Sequence, residues 1–154
     1  MFRWLFRNWR RTTPPEPNQP KSTQYAALPW RRTSDAAVEV LLITSRETRR
    51  WVIPKGWPMK TLGPGPSAAQ EAFEEAGVSG AIAALPLGAY QYGKRLRNGR
   101  VRDVRVEVFA LEVRKEAEDW REKGQRELRW VTPTQAAEMV DEPELKALLA
   151  RFGG

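Results

Sequence analysis

The sequence contains no cysteine and no histidine among its 154 residues. The absence of cysteine excludes disulfide bonds and a thiol nucleophile. The absence of histidine excludes Ser-His and Cys-His catalysis and removes the usual ligands of zinc. If the chain is an enzyme, its acid–base groups are therefore carboxylates, lysines or tyrosines. A bound metal would then be a hard cation held by oxygen, such as Mg²⁺ or Mn²⁺.

The chain also lacks a long apolar run. No stretch approaches the roughly 18 residues of a membrane span, and the arginine-rich N-terminus has no apolar segment typical of a signal peptide. We therefore expect a cytoplasmic protein. The net charge of +7 is concentrated at one end, because the first 32 residues contain seven Lys or Arg against one Glu. The basic character says little about the rest of the chain.

Composition divides the sequence into two parts. We predict that residues 1–22 form a basic, Pro-rich tail or linker and that residues 23–154 form one domain with its own core. Aromatic residues alternate with arginines over residues 1–11, which leaves open either a short helix in weak contact with an anionic membrane surface or a frayed tail.

The domain is rich in strand signals. Residues 24–32 are expected to form an edge strand, because Pro29 limits backbone pairing. The β-branched stretch Ala37–Thr44 predicts a buried strand. Further on, Asn98-Gly99 predicts a tight hairpin, and Val104, Val106 and Val108 alternate with polar residues as in a half-buried strand.

Two helices are predicted near the C-terminus by their capping sequences. Thr132, Pro133 and Gln135 fit the N-cap, first and third positions of a helix, and the same pattern is expected to begin again at Asp141. Strands and helices therefore alternate irregularly along the chain. This order predicts an α/β (α+β) fold in which helices pack on a mixed sheet.

An earlier helix gathers three glutamates. It is predicted between Pro66, in its first turn, and Gly77, in the left-handed position after its last. Its expected apolar stripe consists of Ala69, Ala72, Phe73 and Ala76. Glu71, Glu74 and Glu75 share the opposite side and repel one another by roughly 0.2–0.5 kcal/mol per pair. Either a divalent cation is coordinated there, or the glutamates form a solvated outer face.

Residues 56–78, GWPMKTLGPGPSAAQEAFEEAGV, resemble the Nudix box, G-x5-E-x7-R-E-U-x-E-E-x-G-U with U aliphatic. The matching positions are Gly56, Glu71, Glu74, Glu75, Gly77 and Val78. Leu62 replaces the first glutamate of the box. Gln70 replaces the arginine that helps to orient a catalytic glutamate in the family, and it keeps an amide donor without the charge. Over about residues 36–131 the chain is similar to the diphosphoinositol polyphosphate phosphohydrolase branch.

The resemblance implies an α/β/α sandwich around a mixed sheet and the hydrolysis of a diphosphate linked to another group. It implies that Glu71 and Glu75 are the main ligands of Mg²⁺ or Mn²⁺ and that the Gly56 carbonyl completes the site. Glu74 is implied as a further ligand or as the base. A carboxylate from a facing loop is expected to assist, and the candidates are Glu122 and Glu127, although either can equally be a solvated side chain.

The expected partner is a densely anionic phosphorylated small molecule rather than nucleic acid, because Lys and Arg are numerous around the box and the hairpin. The candidate substrate-binding residues are Arg49, Arg50, Lys55, Lys94 and Arg95. The favoured substrates are diphosphoinositol polyphosphates and dinucleoside polyphosphates. There are two alternatives: the substrate is ADP-ribose or a nucleoside triphosphate, or the chain is a non-catalytic module that binds polyanions. For the hairpin arginines, a charged and protected sheet edge is an equal explanation.

Overall fold

The computed structural model describes residues 22–154, which form one mixed sheet with three helices. The strands are β1 (Thr23–Arg32), β2 (Val38–Thr44), β3 (Trp51–Val52), β4 (Lys55–Gly56), β5 (Val78–Ile82), β6 (Gly88–Arg95), β7 (Val101–Glu116) and β8 (Leu128–Val131). The helices are α1 (Pro64–Ala76), α2 (Pro133–Met139) and α3 (Pro143–Ala150). The predicted tail, with its suggested membrane contact, lies outside the described residues except for Ser22.

The sheet is mixed, as predicted. Its main path runs β3-β2-β1-β7-β5, while β4 pairs with β1, β6 with β7 and β8 with β2. The β1 and β7 strands run parallel, and the other pairings are antiparallel. Strand β5 was not predicted, because Gly80 interrupts its apolar pattern where the register with β7 shifts.

The expectation that residues 24–32 form an edge strand is wrong, because β1 lies in the middle of the sheet. On one side β1 pairs with β7, and on the other it pairs first with β4 and then with β2. The Ala27 N–H points to this second side, where it donates to the Pro54 carbonyl at 3.0 Å. The nitrogen of Pro29 points the same way and falls between the β4 and β2 pairings. The missing N–H therefore interrupts no ladder.

The predicted hairpin joins β6 to β7. The Leu96 N–H donates to the Arg100 carbonyl at 2.8 Å, so the turn has three residues rather than two. Gly99 has φ 81°, whereas Asn98 keeps a negative φ. The alternating valines of β7 are buried, as the pattern predicts.

Apolar clusters cover both faces of the sheet. Alternate residues of β2 divide between them, since Val40 and Leu42 join one cluster and Leu41 and Ile43 the other. Helices α2 and α3 cover the first face and α1 covers the second. This is the expected α/β/α sandwich, and it explains why β2 is apolar without alternation. Within residues 22–154, no helix is long and apolar enough to cross a membrane.

The two C-terminal helices differ in how they begin. Helix α2 has the predicted capping box, because the Thr132 hydroxyl accepts the Gln135 N–H and the Gln135 side chain accepts the Thr132 N–H. The N-cap of α3 is Glu142, not Asp141 as predicted, and its side chain caps nothing. The Glu142 carboxylate instead pairs with Arg50.

Candidate functional site

Helix α1 is rotated relative to the expected orientation. Its buried face is built from small residues one turn apart, Ala68, Ala72 and Ala76, which let the helix approach the sheet closely. Phe73, expected in the apolar stripe, is 39% exposed. Glu75, expected on the outer side, is only 7% exposed. The glutamate face therefore borders the core.

Helix α1 ends as predicted, and a loop packs on its C-terminal end. Gly77 has φ 69° and donates its N–H to the Phe73 carbonyl. The Gly77 carbonyl accepts the Ala117 N–H at 2.8 Å, and the Glu74 carbonyl accepts the Glu122 N–H at 3.0 Å. We call residues 117–127 the docked loop. Its hydrogen bonds satisfy carbonyls that a helix end leaves without partners.

The three helix glutamates have different surroundings. The Glu75 carboxylate accepts the Lys55 N–H at 3.2 Å. Glu71 lies so close to Gly56 that a Cβ on Gly56 would collide with the Glu71 carboxylate. Glu74 accepts a hydrogen bond of 3.3 Å from the Gln70 side chain, which therefore does supply the amide donor expected of it.

Burial and nearby negative charge make Glu71 and Glu75 hard to ionise. Burial raises the pKa of Glu71 to about 7, and the neighbouring charges of Glu75, Glu74 and Glu122 act in the same direction. Burial also raises the pKa of Glu75 to about 7, against the opposing effect of Arg126 and Lys55. These shifts mean that the cluster is short of positive charge when its carboxylates are ionised.

The two candidates for a loop carboxylate, Glu122 and Glu127, have different surroundings. Glu122 accepts one hydrogen bond from Arg126 at 3.2 Å and pairs with Arg46 at 3.1 Å, and its charge acts on both Glu71 and Glu75. Glu127 is exposed, and only its backbone is engaged: its N–H donates to the Thr44 hydroxyl and its carbonyl accepts the Thr44 N–H. The docked loop therefore brings Glu122, and not Glu127, to the glutamate helix.

Arg126 was not predicted as a site residue, and its side chain is only 9% exposed. Its Nη2 lies 3.4 Å from the Glu75 Oε1 and 3.2 Å from the Glu122 Oε1. Its Nη1 donates to the Thr44 carbonyl at 3.1 Å. The chain has 26 Lys and Arg residues, and no sequence motif distinguishes Arg126 from the others. Arg121, also missed, lies 3.5 Å from Glu74.

The donor atoms suit a hard divalent cation. Carboxylate and backbone carbonyl oxygens are the ligands that Mg²⁺ and Mn²⁺ prefer, and the Glu71 carboxylate lies against Gly56, the residue whose carbonyl is the expected further ligand. As the side chains stand, no three acidic residues in the described part of the chain surround a common point. Arg126 instead bridges Glu75 and Glu122 and supplies the counter-charge.

Lys55 borders the glutamate cluster. Burial lowers the pKa of its amine to about 8, and the charges of Arg50 and Lys94 act in the same direction, while Glu75 opposes the shift. The Lys55 Nζ lies 5.0 Å from the centre of the Tyr92 ring. The amine is therefore held between an aromatic face and carboxylates, next to other cations.

The remaining candidate substrate residues are dispersed. Lys94 lies opposite Arg102 in the β6–β7 register, and both cations lie over the Trp57 ring, at 5.7 and 5.4 Å. Arg95 follows Lys94 on the strand and points to the other face of β6, so the fold does not bring it beside Lys94.

Two further candidates are engaged elsewhere. Arg50 pairs with Glu142 and lies 3.8 Å from Asp141. Arg49, at φ 58°, donates to the Gln125 carbonyl of the docked loop at 3.1 Å. Of these two, Arg50 is the one whose charge acts on Lys55.

Several known proteins are similar to this chain in sequence. No protein-family profile matches the chain. Nudix hydrolase 12, mitochondrial, of Arabidopsis thaliana is 35% identical over 120 residues, which is 75% of this chain and 58% of that protein. Human diphosphoinositol polyphosphate phosphohydrolase 3-beta is 35% identical over 88 residues, which is 56% of this chain and 49% of that protein. The chain thus spans about half the length of these relatives.

Solved structures give the fold. A binary complex of a C. elegans Ap4A hydrolase matches with a TM-score of 0.61 and 19% identity, over 84% of this chain and 93% of that one. The NUDIX domain of Shewanella oneidensis NrtR, complexed with ADP ribose, matches with a TM-score of 0.61 and 13% identity, over 94% of each chain. The resemblance found in residues 56–78 is therefore confirmed: the described part of this chain has the Nudix fold, and its relatives in sequence are Nudix hydrolases.

Proposed function

We propose that this chain is a divalent-metal-dependent hydrolase that cleaves a phosphoanhydride bond. Glu71, Glu74 and Glu75 are its catalytic carboxylates in this proposal, and Glu71, Glu75, Glu122 and the Gly56 carbonyl hold the metal. The observation that carries the proposal is the placement of Glu75, which is buried, beside Glu71, which is half-buried, each with a pKa raised to about 7. Such placement destabilises a protein unless a cation compensates it.

The residues divide the chemistry among themselves. When bound, Mg²⁺ or Mn²⁺ supplies neutralisation of phosphate oxygens and lowers the pKa of water. Glu74 stands as a further ligand or as the base that takes the proton of the attacking water, with Gln70 and Arg121 orienting its carboxylate. Lys55 provides a half-buried positive charge for a phosphate beside the cluster. No covalent intermediate is needed, which suits a chain without His or Cys.

We propose substrates that carry several phosphates, with diphosphoinositol polyphosphates and dinucleoside polyphosphates favoured. Support comes from the charge near the site, because Lys94 and Arg102 face each other across the hairpin over Trp57. Like charges directly opposite in a sheet repel, and a second phosphate group would relieve that repulsion. The names of the human relative and of the C. elegans structure point to the same substrate classes.

ADP-ribose is the second candidate, because the NrtR NUDIX domain shares the fold and is complexed with ADP ribose. Exposed Trp57 would then contact the adenine ring, whereas a diphosphoinositol polyphosphate has no base, and the indole would contact only the two cations. Replacing Trp57 with Leu should raise the KM for ADP-ribose strongly, and the KM for an inositol diphosphate only weakly, if ADP-ribose is the substrate.

The cytoplasmic location remains a prediction, and some relatives have "mitochondrial" in their names.

The test is phosphate release from a panel of diphosphoinositol polyphosphates, dinucleoside polyphosphates, ADP-ribose and nucleoside triphosphates, each with Mg²⁺ or Mn²⁺. Glu75→Gln should abolish turnover, while Glu127→Gln, an exposed change of the same chemistry, should leave it intact. Wild-type protein that turns over no diphosphate across metals and pH would refute the proposal. If it binds the same compounds without hydrolysis, a polyanion-binding module becomes the better description.

A further inference from the structure

Arg126 is the cation that contacts the centre of the candidate site. It lies in the docked loop, where it contacts Glu122, and it also contacts two other segments: Glu75 on α1 and the Thr44 carbonyl at the end of β2. Its side chain is 9% exposed and its Nε is buried without a hydrogen-bond partner. A buried unpaired donor is costly, so the other contacts must hold the guanidinium in place.

The two carboxylates share one nitrogen. The Glu75 Oε1 and the Glu122 Oε1 both lie within 3.4 Å of Arg126 Nη2, while Nη1 of the same planar group is fixed by Thr44. A planar guanidinium presents its donors at fixed angles. Anchoring one nitrogen to the sheet therefore fixes where both carboxylates can sit, one on the helix and one on the docked loop.

We propose that Arg126 is a positioning residue that holds Glu75 and Glu122 in register for a divalent cation. The inference rests on the metal site of the proposed function, and it goes beyond it by naming the group that makes a loop carboxylate and a helix carboxylate act together. Arg126 acts through these two side chains and is not itself a ligand. The groups around it are Glu75, Glu122, Glu71 and the Thr44 carbonyl.

An effect of the Arg126 charge alone and a positioning role predict opposite changes in metal affinity when Arg126 is replaced. A positive charge beside a metal site repels the incoming cation, so removing Arg126 would tighten metal binding if charge were its only contribution. Positioning predicts weaker binding, because Glu122 would no longer be held near Glu75. Arg126→Met and Arg126→Lys separate the two explanations: methionine removes the charge, whereas lysine keeps the charge but replaces the planar fork with a single ammonium group.

The experiment measures the Kd of Mn²⁺ by electron paramagnetic resonance of the free ion, with full-length protein held well below its unfolding temperature. We expect both R126M and R126K to weaken Mn²⁺ binding by about tenfold or more, as for other groups that orient metal ligands. The matched control is R46M, which removes an exposed arginine from the same Glu122 oxygen. Its effect should stay below about threefold, because exposed pairs contribute little.

A second measurement distinguishes positioning from general damage to the fold. In an E122Q background, where the loop carboxylate is already lost, R126K should cause less than about threefold further weakening. Tighter or unchanged Mn²⁺ binding by R126M would overturn the inference, and so would an undiminished loss in E122Q. If R126M does not fold, wild-type affinity in R126K has the same force. Wild-type protein without Mn²⁺ binding would instead refute the metal site of the proposed function itself.

Discussion

The junction between α1 and the docked loop can be tested at a single residue, Gly77. Its φ of 69° lies in the left-handed region, and the Trp120 ring packs directly on it. A Cβ at this position would lie 2.5 Å from Cδ2 and Cε3 of Trp120, which is well inside van der Waals contact. Gly77→Ala therefore introduces two separate penalties, one in the backbone and one in the packing.

The two penalties have different sizes and can be separated. A left-handed backbone costs an alanine about 1–2 kcal/mol, and forcing a ring out of a packed site costs about 1–3 kcal/mol. Gly77→Ala should therefore destabilise the fold by roughly 2–5 kcal/mol. The matched control is Gly99→Ala, because Gly99 has φ 81° but a Cβ added there would meet no atom within 4 Å. Only the backbone penalty applies at Gly99.

Urea unfolding followed by tryptophan fluorescence gives both free energies, and Mn²⁺ affinity gives a functional readout. Displacing Trp120 should loosen the docked loop and weaken Mn²⁺ binding in the Gly77 variant, while the Gly99 variant keeps wild-type affinity. Equal losses of stability in the two variants would show that Trp120 contributes nothing at this junction, and the packing argument would then fail.

Three further results are expected. The metal-free protein should become more stable as the pH is lowered from about 8 towards 5. The reason is that Glu71 and Glu75, with pKa values raised to about 7, bind protons in the folded state at a higher pH than in the unfolded chain. A Tm, measured in the presence of a chelator, that decreases as the pH is lowered would contradict this prediction. Mn²⁺ should raise the Tm more at pH 8 than at pH 5.5, since ligands must be deprotonated, and equal shifts would argue against carboxylate ligands. Thr132→Ala should cost about 1 kcal/mol by urea unfolding, whereas Thr132→Ser should cost little, because serine also accepts the Gln135 N–H; equal losses would show that the capping box does not stabilise α2.

Features set by neighbouring residues could be predicted from the sequence. The capping box at Thr132, the left-handed end of α1 at Gly77 and the hairpin at Gly99 all depend on a few consecutive residues. Their chemistry is local, because each turn or cap uses a backbone angle or a hydrogen bond within its own segment.

Features set by residues far apart in the chain could not be predicted from the sequence. The orientation of α1 depends on how closely its alanines approach the sheet, so period alone put Phe73 on the wrong side and left Glu75 outside the core. The role of Arg126 depends on the docked loop, whose contact with α1 crosses about 50 residues of chain. Likewise, Pro29 suggested a sheet edge because the gap between β4 and β2 cannot be seen in one strand.

The parallel pairing of β1 with β7 also governs the order in which the chain can fold. Thr23 lies opposite Arg105, so the central ladder cannot form until most of the polypeptide has left the ribosome. Until then β1, apolar on both sides, can be covered only by β2, β4 and α1, and its β7 edge stays open. Non-local pairing of this kind slows folding, and we expect the nascent chain to be most prone to aggregate in the interval before β7 emerges.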